Sequence, residues 1–164
     1  MAGHGYGLQG IRDLSRFLRR RTTGADCTAA MHSALAEGPG IVYIPPGEYR
    51  LGGVQIPPGT AVVGAGRSTV IRSNGAPAVF SLEGCRDWAI RDLVLDGDAG
   101  EDWRARRDRG RSGILIDRCT GFEVRSVTVR SFDGAGIQCL NTPSFCPCGA
   151  IEGVSAQWNW CGVR

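Results

Sequence analysis

The feature that most constrains this chain is how soon and how often it turns. Residues 42–72 read VYIPPGEYRLGGVQIPPGTAVVGAGRSTVIR. Short apolar-rich runs (Val42-Tyr43-Ile44, Tyr49-Arg50-Leu51, Val54-Gln55-Ile56, Ala61-Val62-Val63, Val70-Ile71) alternate with Pro-Pro-Gly, Gly-Gly, Pro-Pro-Gly and Gly-Ala-Gly. Runs this short cannot be the arms of hairpins in one flat sheet. They fit a chain that turns a corner after each strand and winds into a solenoid. The 25 glycines, about twice the usual share of roughly 7%, are what so many tight corners require.

An internal repeat supports the same reading. The segment CRDWAIRDLVL from Cys85 aligns with CTGFEVRSVTV from Cys119, and then with CPCGAIEGVSA from Cys146. Ile90, Val124 and Ile151 therefore form one apolar column, and Leu93, Val127 and Val154 another. In a solenoid such columns stack rung on rung. Each repeat is preceded by a further strand, beginning near Ala78, Gly113 and Gly136. A charged insertion at residues 97–112, GDAGEDWRARRDRGRS, separates one rung from the next.

Residues 24–164 resemble the opening of the pectate-lyase-like superfamily, in which a helical cap precedes a VYIPPGTYRL…IPSGTTLVGAG…TVI-like stretch. The resemblance implies an all-β fold: a right-handed parallel β-helix of three-strand rungs with an N-terminal α-helical cap. The cap helix is expected over residues 27–37, N-capped by Asp26 and ended by Gly38-Pro39-Gly40. Its apolar stripe is Ala30, Met31, Ala34 and Leu35. The family's GDGxTDDTxAIQxAI survives only as GADCTAAMH from Gly24, with two acidic residues reduced to one. Upstream, Ile11, Leu14, Phe17 and Leu18 fall at helical spacing, which predicts an amphipathic helix over residues 9–21. The expected organisation is an N-terminal amphipathic helix and linker in residues 1–24, then cap helix and rungs in 25–164. The sequence ends as a new rung begins, Gly162-Val163 matching Gly136-Ile137, without a polar cap. Proteins of this family usually run to several hundred residues, so a β-helix truncated at its C-terminal end is expected.

At 164 residues, the chain can form one domain with a core. No run of 18 apolar residues appears, so no membrane partner is expected. A net charge of +3, with all 19 basic residues Arg, is too small to imply nucleic acid. The N-terminus lacks a secretory-signal layout; the family nevertheless implies an extracellular or cell-surface location. Among the seven cysteines, Cys85, Cys119 and Cys146 read as a buried column of small apolar thiols. The CxC spacing of Cys146 and Cys148 does not suit zinc, whereas a loop disulfide among Cys139, Cys146, Cys148 and Cys161 is open to an exported protein.

In the resembled family the saccharide lies along the face built by the first strand of each rung, with catalytic residues at the turn leading into it. The matching junctions here are residues 109–113, 133–136 and 159–162. The NTD, DD and GHG motifs of polygalacturonase-like members are absent, and the GHG position reads Gly134-Ala135-Gly136. Paired glycosidase carboxylates are not visible. Asp96-Gly97-Asp98, the nearest thing to a calcium cluster, reads as a turn; no cofactor is expected, and calcium stays open without a visible site for it. The catalytic candidates are Asp133, Arg111 and Asp102. The substrate-binding candidates are Trp103 as a stacking face, Arg109 for uronate carboxylates, Asn159 and Trp160. Asp98, Glu101, Asp102 and Asp108 could instead pair with the loop arginines, and Asp133 before Gly134 is also ordinary turn chemistry. His4 and His32 carry no expected role. The expected function is a polysaccharide lyase or glycoside hydrolase acting on an acidic, uronate-containing polysaccharide, with its main catalytic residues beyond Arg164. The alternative is a non-catalytic β-helix, a surface adhesin or phage tailspike stem that binds glycans. The oligomeric state stays open.

Overall fold

A computed structural model of the protein describes residues 10–18, 25–98, 110–141, 150–157, 159 and 161–163. Its strands are β1 (Ile11–Asp13), β2 (Gly40–Tyr43), β3 (Gly47–Leu51), β4 (Val54–Gln55), β5 (Thr60–Val63), β6 (Thr69–Ser73) and β7 (Ala78–Glu83). They continue as β8 (Arg86–Asp96), β9 (Ser112–Asp117), β10 (Thr120–Arg130), β11 (Ala135–Leu140), β12 (Ala150–Glu152), β13 (Ser155–Gln157) and β14 (Cys161–Val163). The helix α1 (Thr28–Ala36) lies between β1 and β2.

All registered pairings are parallel, and neighbours in space are a rung apart in sequence. One sheet runs β4-β7-β9-β11-β14, called here sheet B. The other, sheet A, runs β1-β2-β5-β8-β10-β12, with β3, β6 and β13 continuing it beyond a bend. A parallel pair needs a crossover. Here the crossover is the rest of the rung, which makes the architecture a parallel β-helix.

The register confirms the repeat read from the sequence. Val124 pairs with Ile90 and with Ile151, Val127 with Leu93, and Ile137 with both Ile114 and Val163. The columns are also the core: Val42, Val62, Ile90 and Val124 stack with no exposed surface. Trp88 lies flat on Phe122 one rung away, ring centroids 5.1 Å apart at 10°. Each fully buried aliphatic side chain in such a stack contributes about 1.5–3 kcal/mol.

The corner inside β8 and β10 is made by one residue. Asp92 and Ser126 adopt positive φ (55° and 52°), and Gly153 does so at the same point between β12 and β13 (59°). This left-handed kink turns an inward-outward alternation around the corner, so Ile90 and Leu93 both face the core. Stacked kinks keep successive rungs superimposed.

Two expectations need correction. Of the amphipathic helix expected over residues 9–21, the described residues 10–18 form none: residues 11–13 are strand, followed by one 3-10 turn at Leu14–Arg16. The free edge of β2 offers ladder hydrogen bonds that an isolated short helix cannot match, and Ile11 registers with Ile41 and Asp13 with Tyr43. Asp13 then accepts from the Ser15 N–H at 2.8 Å, starting the turn that buries Leu14 completely. The spacing of apolar residues is satisfied by that turn, with Phe17 and Leu18 against the core. A helix is present in the expected place but begins at Thr28, with Cys27 rather than Asp26 at the N-cap position. Asp26 still accepts from Thr28 N at 2.8 Å, and Asn74 Nδ2 donates to its other oxygen at 2.9 Å. Met31, Ala34 and Leu35 join the core cluster.

Cys85 and Cys119 are buried free thiols that donate to backbone carbonyls, including Ile56 O and Leu82 O one rung below each. Burial pushes the Cys119 thiol pKa up. Cys139 is a half-buried free thiol. Cys146 and Cys148 lie outside the described residues, as does the side chain of Cys161. No described helix is long and apolar enough to cross a membrane.

Candidate functional site

Sheet B presents the first strand of each rung, and its outer surface is built in columns two residues apart. Gln55, Ser81, Leu115 and Gln138 are registered partners in one, and Glu83, Asp117 and Leu140 in the next. Their inward neighbours, Phe80, Ile114, Ile116 and Ile137, are fully buried. Rung spacing is about 4.8 Å, so Glu83 and Asp117 set two carboxylates side by side on adjacent rungs.

Arg118 joins them. Its NH2 group lies 2.5 Å from Glu83 Oε1 and its Nε 3.2 Å from Asp117 Oδ2. Asn141 Nδ2, one rung on, donates to Asp117 Oδ1 at 3.0 Å. The corner that aims these groups is a stack of positive-φ residues: Gly84 (59°), Arg118 (52°) and Asn141 (47°). Glycine and asparagine accept that conformation readily; arginine does so at a cost. Gly84 N–H donates to Asp117 O at 2.9 Å and Arg118 N–H to Leu140 O at 3.0 Å, so the backbone ladder holds Arg118 there.

Beside this cluster a groove of about 600 Å³ runs between α1 and the corner after β4 and β7. Gln55 and Glu83 open into it from sheet B, His32 from α1, and Ile56, Pro57 and Pro58 supply an apolar floor. An amide, a carboxylate and an imidazole over an apolar floor suit the mixed polar and C–H surface of a sugar ring.

The predicted junction residues behave differently. Asp133 precedes β11 with a side chain that has no exposed surface. Arg111 Nε donates to Asp133 Oδ2 at 2.9 Å and Arg111 NH2 to the same oxygen at 2.6 Å, with Nε also 3.1 Å from Oδ1. This hydrogen bonding raises the Arg111 pKa above its ordinary value against the opposing effect of burial. Two catalytic candidates are thus brought together, and the pairing leaves the Asp133 carboxylate no exposed surface. Asn159 is occupied by backbone: Phe132 N–H donates to its Oδ1, and its Nδ2 donates to Val129 O, both at 3.0 Å. It splices one rung onto the previous one through both of its amide atoms. Asp102, Trp103, Arg109 and Trp160 lie outside the described residues.

The Gly134-Ala135-Gly136 stretch has a packing reason. A Cβ on Gly134 would stand 2.6 Å from Arg111 O and 2.8 Å from Gly110 C. Ala135 is buried, so the centre of that motif could not present a side chain to a groove.

Glu83, Asp117 and Arg118 escaped the sequence reading. The signal was present, because Glu83 stands two residues before Cys85 and Asp117 two before Cys119, the same 34-residue spacing that aligned the core. Among the described residues no cluster of His, Cys, Asp and Glu could hold a metal ion.

Fold and surface together define a parallel β-helix with a polar, laddered outer face on sheet B. Solved structures share that architecture. The chain is similar to an iota-carrageenase in complex with iota-carrageenan fragments (16% identity, TM-score 0.67, 92% of this chain and 37% of that one). It is also similar to a Parabacteroides merdae protein provisionally classed as a glycosyl hydrolase (11% identity, TM-score 0.72, 90% and 75%). A third is ORF18 of Geobacillus virus E2 (18% identity, TM-score 0.61, 78% and 28%). The chain spans well under half the length of the carrageenase and the viral protein. No family model matches the sequence, and no curated protein matches it significantly. At these identities the likeness establishes the fold.

Proposed function

We propose that this chain is the polysaccharide-binding part of a carbohydrate-active β-helix of the right-handed, pectate-lyase-like kind, acting outside the cell. The polysaccharide lies along the outer surface of sheet B, and it is acidic. The observation that carries this reading is the Glu83–Arg118–Asp117 cluster beside the α1 groove. Carboxylates on consecutive rungs accept hydrogen bonds from sugar hydroxyls, while Arg118 meets a uronate or sulfate group bidentately. The same β-helix architecture in a carrageenase that holds its polysaccharide fragments supports the choice of ligand class. Side-by-side carboxylates on adjacent rungs are also what a retaining glycosidase requires, at about 5–5.5 Å. Hydrolysis through Glu83 and Asp117, with Arg118 displaced onto the substrate's acid group, is the reaction we assign; elimination is the alternative chemistry. The assignment invokes no metal.

A second reading, a glycan-binding stem without catalysis, is favoured by one feature. Asp133, the acid at the junction where the resembled family keeps its catalytic groups, is sealed by Arg111.

The test is to incubate the protein with polygalacturonate, alginate and sulfated galactans. New reducing ends without unsaturated product indicate hydrolysis, and ultraviolet-absorbing unsaturated ends indicate elimination. Reducing-end release lost in both Glu83→Gln and Asp117→Asn supports the assigned reaction. Binding without either product supports the stem. Absence of binding to every acidic polymer would overturn both.

A further inference from the structure

The third strands of the rungs carry a second groove, on the side of sheet A beyond the corner and away from sheet B. Its volume is about 230 Å³, and its lining brings together residues from four successive rungs. Val70, Val94, Thr128 and Ser155 are registered partners up its centre, two apolar and two hydroxyl. Gln157, Arg130 and Arg67, the last on the 3-10 turn before β6, complete the lining, and Gln157 Nε2 donates to Ser155 Oγ at 3.3 Å.

The charges here are arranged for an anion. Arg130 Nε donates to Asp96 Oδ2 at 3.0 Å, which fixes the guanidinium plane beside the groove. Asp96 is buried next to the groove without lining it, and also lies 3.6 Å from Arg72 NH1. Arg67 is exposed and forms no ion pair among the described residues. Among the described residues, two guanidinium groups, two hydroxyls and one carboxamide therefore line this space and no carboxylate does, with two valines as its floor.

We propose that this groove is a subsite for one acidic sugar residue, a uronate or a sulfate ester, separate from the surface of sheet B. The arginines and hydroxyls take the acid group, and the valine floor takes the C–H face of the ring. At about 230 Å³ it falls below the roughly 300–1,000 Å³ of sites for drug-sized ligands, so it takes one residue, a side branch or a chain end. The sugar part of this assignment rests on the glycan reading above; the anion part rests on the groove alone.

The experiment is an NMR titration of the full chain, following the backbone amides of Thr128 and Ser155. The probes are a galacturonate oligomer, a sulfated galacto-oligosaccharide and a neutral galacto-oligosaccharide of equal length. Saturable shifts at both amides with at least one acidic probe, and none with the neutral one, are expected. Which acidic probe shifts them separates carboxylate from sulfate. Arg67→Gln, an exposed change that leaves the core alone, should weaken that binding about tenfold, the effect of losing one charge-assisted hydrogen bond. The Thr128→Val, Ser155→Ala double variant, observed at the Gln157 amide, should weaken it too. Shifts that are equal for the neutral probe, absent for both acidic probes, or unchanged in Arg67→Gln would overturn the subsite. If Glu83→Gln and Asp117→Asn change no binding anywhere while Arg67→Gln abolishes these shifts, the sheet B reading fails and the subsite stands.

Discussion

Arg111 and Asp133, 22 residues apart, close on one another across a single rung so that the carboxylate of Asp133 has no surface left to water. The pair clamps the turn into β9 to the turn into β11, at the point where Gly134 passes against the Arg111 backbone. Removing Arg111 strands a buried charge. Arg111→Ala should therefore cost about 3–5 kcal/mol, whereas Arg111→Met combined with Asp133→Leu should recover most of that loss. Denaturant melts of the three proteins check this; an Arg111→Ala curve superimposed on the wild type would show that the clamp does not hold the rungs.

Arg118 should behave in the opposite way. Its ion pairs to Glu83 are exposed on both sides (58% and 61%), so Arg118→Ala should cost under about 1 kcal/mol of stability. Binding of an acidic oligosaccharide should nonetheless fall about tenfold, and the wild-type affinity should weaken as salt is raised. Calorimetric titration at two ionic strengths, beside a melting curve, separates the two effects. A large stability loss with unchanged affinity would make Arg118 a structural bracket.

Gly134 is a site of close approach. The Cβ of Gly134→Ala would sit within 2.6 Å of a backbone oxygen that cannot swing away. The substitution should cost about 3 kcal/mol by overpacking. Gly66→Ala, where a Cβ meets open space but φ is 70°, should cost only about 1 kcal/mol. Equal costs measured in urea would show that backbone conformation, not crowding, decides both positions.

Acid should loosen the attachment of α1. Burial pushes the Asp26 pKa up, but hydrogen bonds from Thr28 and Asn74 and the charge of Arg50 outweigh it and leave the pKa lowered. The unfolded chain then binds the proton first, so the stabilisation is complete above the unfolded value near 3.8 and is lost as pH falls through the folded one. Asp26 is mostly exposed, so the effect is small and screened by salt. Below about pH 4 the wild type should lose more stability than Asp26→Asn, as read from melting temperatures between neutral pH and pH 3. Parallel curves for the two proteins would remove Asp26 from the account.

The sequence by itself determined the solenoid. Residues Ile90, Val124 and Ile151 recur because every rung must bury the same core positions against its neighbours, and such a constraint is written as a repeat. The same spacing carried Glu83 onto Asp117, although no core requirement drew attention to them. What the sequence left open was settled by contacts between distant residues. The helical spacing of Ile11, Leu14 and Phe17 became a strand and a turn, because the free edge of β2 offered ladder partners that no local pattern records. Asp133 looked like a groove acid and Asn159 like a ligand for sugar. Tertiary packing placed Arg111 over the one and backbone on both sides of the other. A short-range pattern fixes which way a side chain points relative to its strand. Whether its polar atoms are left for a ligand depends on what the next rung brings to them.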